Sequence, residues 1–242
     1  MKRVLKIFLL LLLSPFCKAQ TNTIDSVKKL LQIEKQDTGR VMLLYQLSKN
    51  YLYLKPDTAL LLAQQSLSLS NKIGFAKGEA MSMNMIANVF RNTGNYLKAL
   101  QLYLKALKIA ETIQDQKTIA IILLNISSDY AFMGNYRQAI YYTLKALVIN
   151  KAINNQLGVV TTTVNLGDFY ENLNMLDSAL IYTNRGYDLA LQLKHIEGTG
   201  TGLVNLGNIY LKMGQPGLAM SKYRLSMPIV LEINDPEFFS EL

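Results

Sequence analysis

Reactive side chains are scarce in this chain, and their scarcity bounds what it can do. It holds one His, His195, and one Cys, Cys17. No second His or Cys stands by to complete a metal site or a Cys–His nucleophile. No pair of Asp or Glu recurs at a spacing that would set a general acid against a base. His195 falls near the end of a helical stretch, where a cation would suit the helix dipole. The run Gly198-Thr199-Gly200-Thr201-Gly202 invites a phosphate-loop reading. A phosphate loop follows a strand and closes on Lys-Ser/Thr, whereas this run follows a helical stretch and lacks that ending. It reads better as a turn leading into a helix. The expectation is a protein with no catalytic residue, no bound metal and no cofactor.

What remains is a pattern of amides. Asn125, Asn165 and Asn205 recur at intervals of forty, with Met85 in the same column. Asn is a weak helix former, so its repetition inside helical stretches asks for a reason. Its side chain donates and accepts at once, as a peptide group does. The three could grip an extended polypeptide, or they could bridge neighbouring helices and bind nothing. Three residues on stand Asn88, Ser128, Asp168 and Asn208. One turn beyond the column lie Arg91, Ala131, Glu171 and Leu211, and one turn before it Thr161 and Thr201. A surface built from these columns is polar and mixed in charge. Tyr103, Tyr141, Tyr142 and Tyr223 fall on the alternate helices and read as packing between rungs.

The interval of forty is the organising fact of the chain. Residues 78–117, 118–157, 158–197 and 198–237 align without a gap, and 38–77 forms a further copy, one residue shorter at its centre. Phe90, Tyr130, Tyr170 and Tyr210 share one column, and Ala99, Ala139, Ala179 and Ala219 another. Self-similarity at such a period marks stacked units that cannot bury their apolar faces alone. Each unit reads as two helices. In 78–117, Ile86, Val89 and Phe90 keep helical spacing until Asn92-Thr93-Gly94-Asn95 breaks it. Gly94 suits the left-handed residue that ends a helix, and Asn95 suits the cap that starts the next. Leu97, Leu100, Leu104 and Leu107 then form one apolar face. The small residues Ala87, Ser127, Gly167 and Gly207 let paired helices approach closely. The column of Phe90 and Tyr130 is expected to fill the wedge between one pair and the next.

Residues 1–19 stand apart. Lys2, Arg3 and Lys6 precede or interrupt an apolar run from Val4 to Leu13, followed by Ser14-Pro15 and then Cys17-Lys18-Ala19. This is the layout of a secretory signal peptide cleaved after Ala19, and the run falls short of a membrane span. The protein is therefore expected to be exported, periplasmic or secreted, with no stable span after cleavage. Of 25 Lys+Arg and 17 Asp+Glu, cleavage removes Lys2, Arg3, Lys6 and Lys18, leaving 21 against 17. With no run of five like charges, nucleic acid is an unsuitable partner.

Asn205, Leu206, Gly207, Tyr210, Gly214 and Ala219, with Ile126, Tyr130, Gly134, Ala139 and Ala146 in an earlier copy, resemble the tetratricopeptide repeat family. The period is forty rather than about 34, and the family's early Trp and closing Pro are absent. These departures point to the long-repeat branch, similar to kinesin light chains and bacterial signalling receptors. The resemblance covers 38–237. It implies an all-α fold, a right-handed α-α superhelix of five helix-turn-helix repeats, whose first helices line a concave face. It further implies that the Asn column grips the backbone of a protein or peptide ligand. Residues 20–37 would supply an N-terminal capping helix. The stretch Thr23–Tyr51 looks like the start of exported sensor regions that precede histidine kinases or regulators in Bacteroidetes-type bacteria.

At the other end, Pro228 is expected to break or kink the last helix. Ile229, Val230, Leu231, Phe238 and Phe239 would be left poorly covered. That favours docking on a partner, self-association, or a further repeat opening within 238–242. The expected function is non-enzymatic recognition of a polypeptide in the concave groove, as the input part of a signalling system. The alternative is a structural scaffold that assembles an envelope complex through its ends and convex face.

Overall fold

The structure, a computed structural model, describes residues 24–32, 35 and 37–233. The expected signal peptide and the segment 238–242, with Phe238 and Phe239, lie outside them. Among the described residues there are eleven helices and no strand. Helix α1 spans 24–32. Five pairs follow: α2 Thr38–Tyr51 with α3 Pro56–Ile73, α4 Ala76–Asn92 with α5 Tyr96–Thr112, and α6 Gln116–Phe132 with α7 Tyr136–Ala152. The last two are α8 Gln156–Asn172 with α9 Leu176–Gln192, and α10 Ile196–Lys212 with α11 Pro216–Ile233. The first pair begins with its sequence unit at Thr38, and the other four begin two residues ahead of theirs.

Local chemistry sets this rhythm. From α4 to α10 every helix has 17 residues. Each helix from α3 to α10 ends in a turn with one left-handed residue, and these stand twenty apart: Gly74, Gly94, Gln114, Gly134, Asn154, Asn174, Lys194 and Gly214. The residue after it returns its N–H to a carbonyl five back, as from Asn95 to Phe90 at 2.8 Å, closing the helix end. That same residue caps the next helix. Asn95, Asp115, Asn135 and Asn155 each accept the N–H three positions on, satisfying an otherwise unpaired donor.

His195 belongs to this capping series. Its Nδ1 accepts the Gly198 N–H at 3.0 Å, so it starts α10 rather than placing a cation at the end of α9. At the start of a helix the dipole favours negative rather than positive charge. The Gly-rich run is not a turn either: 198–202 lies inside α10. A Cβ at Gly198 would press on Val160 and one at Gly202 on Tyr187, so the missing side chains let α10 close on its neighbours. Pro228 does not break α11, which runs through it to Ile233.

Packing follows the small-residue columns. Ala99, Ala139 and Ala179 are fully buried, and Ala219 nearly so. A Cβ at Gly207 would collide with the Tyr223 ring and one at Gly167 with Thr183 Oγ1. The aromatic column also closes individual pairs: Tyr130 stacks on Tyr142 at 5.5 Å and Tyr170 on Tyr182 at 5.3 Å. Phe90 packs against the cores on either side of it, as a wedge does. Ile24 and Val27 of α1 cover Leu47, capping the first pair. First helices of successive pairs touch one another and second helices do not. The stack therefore bends with α2, α4, α6, α8 and α10 inside, as an α-α superhelix.

Candidate functional site

The bend gathers polar residues of the first helices on one inner face, and between α4 and α6 it opens a cleft of about 460 Å³. Tyr53, Asn88, Arg91, Asn92, Tyr96, Asn125, Ser128 and Phe132 line it. Four of these, Asn88, Arg91, Asn125 and Ser128, are residues that the sequence columns single out. The rim is aromatic, with Tyr96 stacked on the exposed Phe132 at 5.7 Å. The floor is held by a polar network. Arg91 Nη1 donates to Asn125 Oδ1 at 3.2 Å, and Asn125 Nδ2 donates to Asn84 Oδ1 at 2.8 Å. Tyr103, fully buried on α5, donates its hydroxyl to Asn88 Oδ1 at 2.6 Å. Asn88 and Asn125 thus spend their acceptors on the protein itself.

Behind Arg91 stands Asp129, fully buried. Arg91 Nε lies 3.9 Å from its Oδ1, an ion pair without a hydrogen bond, and neither carboxylate oxygen has a hydrogen-bonding partner. Burial raises its pKa to about 7, with Arg91 pulling the other way. Asp129 shares a column with Val89, Phe169 and Ile209. Sequence reasoning passed over it, although one carboxylate in an apolar column was signal enough.

The Asn column divides. Asn125 bridges to α4 as described, and Asn205 Nδ2 donates to Val164 O of α8 at 3.4 Å. Asn165 makes no hydrogen bond with any described residue. The carbonyl it would reach by the register of Asn205 is that of Leu124, and Ser128 Oγ already donates to it at 3.0 Å. Asn165 is half-buried on the inner face, its amide uncommitted.

The remaining columns lie on α8 and α10, with varied engagements. Asn208 Oδ1 accepts from the Tyr223 hydroxyl at 2.8 Å, repeating the Asn88–Tyr103 bond. Glu171 is buried and takes Lys212 Nζ at 2.5 Å. Asp168 accepts from Asn172 Nδ2 at 3.2 Å; burial and the nearby Glu171 raise its pKa. Thr161 turns its hydroxyl to Leu157 O at 3.1 Å, and both Thr161 and Thr201 are exposed. On the convex side, Tyr141, Tyr142, Leu144 and Val148 help line an apolar cleft of about 590 Å³. Among the described residues, no group of three His, Cys, Asp or Glu could hold a metal ion.

Known proteins share this architecture. Residues 78–152 match the family described as tetratricopeptide repeat, in general a non-catalytic interaction scaffold. No curated protein matches the sequence. Among solved structures, BtubC (BKLC) from P. vanneervenii is similar with 18% identity and a TM-score of 0.71, over 92% of each chain. A Rap protein complexed with Competence and Sporulation Factor has 19% identity and a TM-score of 0.76, over 90% of this chain and 62% of that one. A kinesin light chain with nearly identical TPR-like repeats, from Podosopora anserina, has 13% identity and a TM-score of 0.64, over 84% and 99%. Residues 78–152 are thus similar in sequence to the tetratricopeptide repeat family, and the chain shares the α-α superhelical fold of these solved structures.

Proposed function

We propose that the protein is a polypeptide-binding repeat module and that its inner groove takes an extended segment of a partner. One observation carries this reading: Asn165, on the inner helix α8 three residues before Asp168, carries an amide that no described residue engages. A peptide group offers the acceptor and donor that such an amide lacks. Support from outside the chain comes from the similar Rap protein, which holds Competence and Sporulation Factor. The leader-like residues 1–19 give the module an exported setting, periplasmic or secreted, and among the described residues no helix is long and apolar enough to cross a membrane. An input role in a signalling system is suggested by the resemblance of residues 23–51 to exported sensor regions.

A second reading rests on α11. Leu218, Leu225 and Met227 are exposed there. Leu218 and Leu225 occupy columns held earlier by Lys98 and Gln138, and by Lys105, Lys145 and Arg185. A scaffold that docks through this end would use them.

Panning a displayed random-peptide library on the chain decides between the two. The groove reading expects recovered peptides to lose at least tenfold in affinity for Asn165→Ala and to bind Leu225→Lys unchanged. Peptides indifferent to Asn165→Ala and lost with Leu225→Lys would refute it.

A further inference from the structure

The inner helices are not tied to one another evenly. Between α4 and α6 run the Arg91–Asp129 ion pair, the Arg91–Asn125 and Asn125–Asn84 hydrogen bonds, and a Lys77–Asp115 bridge of 2.8 Å. Between α8 and α10, Lys212 Nζ reaches both the Glu171 carboxylate and, at 3.1 Å, its carbonyl, while Asn205 reaches Val164 O. Asn92 Nδ2 ties the end of α4 to Leu52 O, just past α2, at 3.1 Å. Between α6 and α8 no hydrogen bond or ion pair joins the described residues, and these two inner helices touch least of the four successive couples.

The gap is written into the columns. Where α4 and α6 offer Arg91 and Asp129, the next step offers Ala131 and Phe169, which cannot pair. Asn172, which stands in the column of Asn92 and Lys212, turns instead to Asp168 on its own helix. Asn165 finds Leu124 O already occupied by Ser128. Every residue type that links the neighbouring steps is here replaced or diverted.

The outer side of the same step is well held. Tyr136 of α7 and Phe169 of α8 pack with ring centroids 6.3 Å apart. Asn155, the cap of α8, donates from Nδ2 to Asn150 Oδ1 of α7 at 2.8 Å. A step pinned outside and unlinked inside has the form of a hinge.

We propose that the α6–α8 step is the hinge of the superhelix, about which α1–α7 and α8–α11 turn as two blocks, widening and narrowing the inner groove. This goes beyond the polypeptide reading and does not depend on it. Stiffness within each block comes from its polar cross-links, and freedom between them from their absence.

Spin-label distances test it. In the chain carrying Cys17→Ser, nitroxides are placed in pairs on Gln65, Lys105, Lys145 and Arg185, and on Leu225, exposed positions of one column on the second helices. Pair 65–145 lies within the first block, whereas 105–185 and 145–225 each cross the α6–α8 step. The expected distance distributions are narrow for 65–145 and at least twice as broad for the two crossing pairs. Equal widths for all three would overturn the hinge. Ala131→Arg with Phe169→Asp copies the Arg91–Asp129 pair into the step. Provided its circular dichroism matches the parent, the 105–185 distribution should narrow to that of 65–145, and unchanged breadth would count against the proposal. The parent distributions stand as a test even where that double variant does not fold.

Discussion

Arg91 Nε sits 3.9 Å from Asp129 Oδ1, close enough to pair but too far to hydrogen-bond, with the carboxylate fully buried and the guanidinium on the wall of the inner cleft. The neighbouring repeats fill the Asp129 position with Val89, Phe169 and Ile209. Stability alone would have placed another apolar residue there, because a buried charge without hydrogen bonds costs more than its pairing returns.

Asp129→Val, which removes a buried carboxylate that has no hydrogen bond, should therefore leave the fold intact and stabilise it, by about 1–3 kcal/mol. Arg91 keeps its Asn125 bond and reaches water. The midpoint of urea unfolding measures this. A loss of stability would mean that the ion pair supports the fold after all.

The same carboxylate gives stability a pH dependence of unusual sign. Its pKa is raised from 3.8 to about 7, so between those values the folded state holds a proton that the unfolded state releases. Stability from this group is then highest below pH 4 and falls as pH rises to 7, by about 4 kcal/mol at most. Above about pH 8 it changes no further. Asp129→Asn should remove this slope, and unfolding measured at pH 5, 6, 7 and 8 for both proteins compares them directly. Identical slopes would show that Asp129 does not titrate in this range.

Lys194 is a non-glycine residue at φ 54°, in the turn series where Gly74, Gly94, Gly134 and Gly214 take the same conformation. A side chain there costs about 1 kcal/mol. Lys194→Gly should raise stability by roughly that amount, read from the thermal unfolding midpoint. The opposite outcome is expected at Gly207, where Gly207→Ala drives a methyl into the Tyr223 ring and should cost about 1–3 kcal/mol.

Asn125 and Asn165 look alike in sequence and should behave differently. Asn125→Ala breaks two side-chain bonds, to Arg91 and Asn84, at a cost of about 1–2 kcal/mol. Asn165→Ala breaks none and gains helix propensity, so stability should hold or rise by about 0.5 kcal/mol. Parallel denaturation curves distinguish them. Equal losses would give Asn165 a structural duty that its surroundings do not provide.

Much of this fold is legible in the sequence because its causes are local and repeated. The forty-residue period, the small residues at Ala99 and its counterparts, and the turn at Asn92–Asn95 each announce their role. His195 and Gly198–Gly202 were misplaced for a physical reason. The caps lie one residue past the left-handed position, and there Lys194 stands in for the glycine that marks most other turns. The groove was legible as a set of columns, but not in the state of its members. Whether an Asn is spent or available depends on contacts 41 residues away, as between Asn205 and Val164. No periodicity reveals that Ser128 has taken the carbonyl that Asn165 would otherwise reach. Asp129 could have been found as the exception in its column, since a repeat makes each exception visible.

In the proposed function the inner groove receives a polypeptide at Asn165. The most direct measurement places a photo-reactive residue at Asp168 in the groove and, separately, at the exposed Val148 on the convex side, and irradiates each protein in envelope extract. Adducts are then mapped by mass spectrometry. The expected result is a discrete polypeptide joined at Asp168, lost when Asn165→Ala is added, and none shared with Val148. Adducts at Val148 alone, or an Asp168 adduct indifferent to Asn165→Ala, would contradict it.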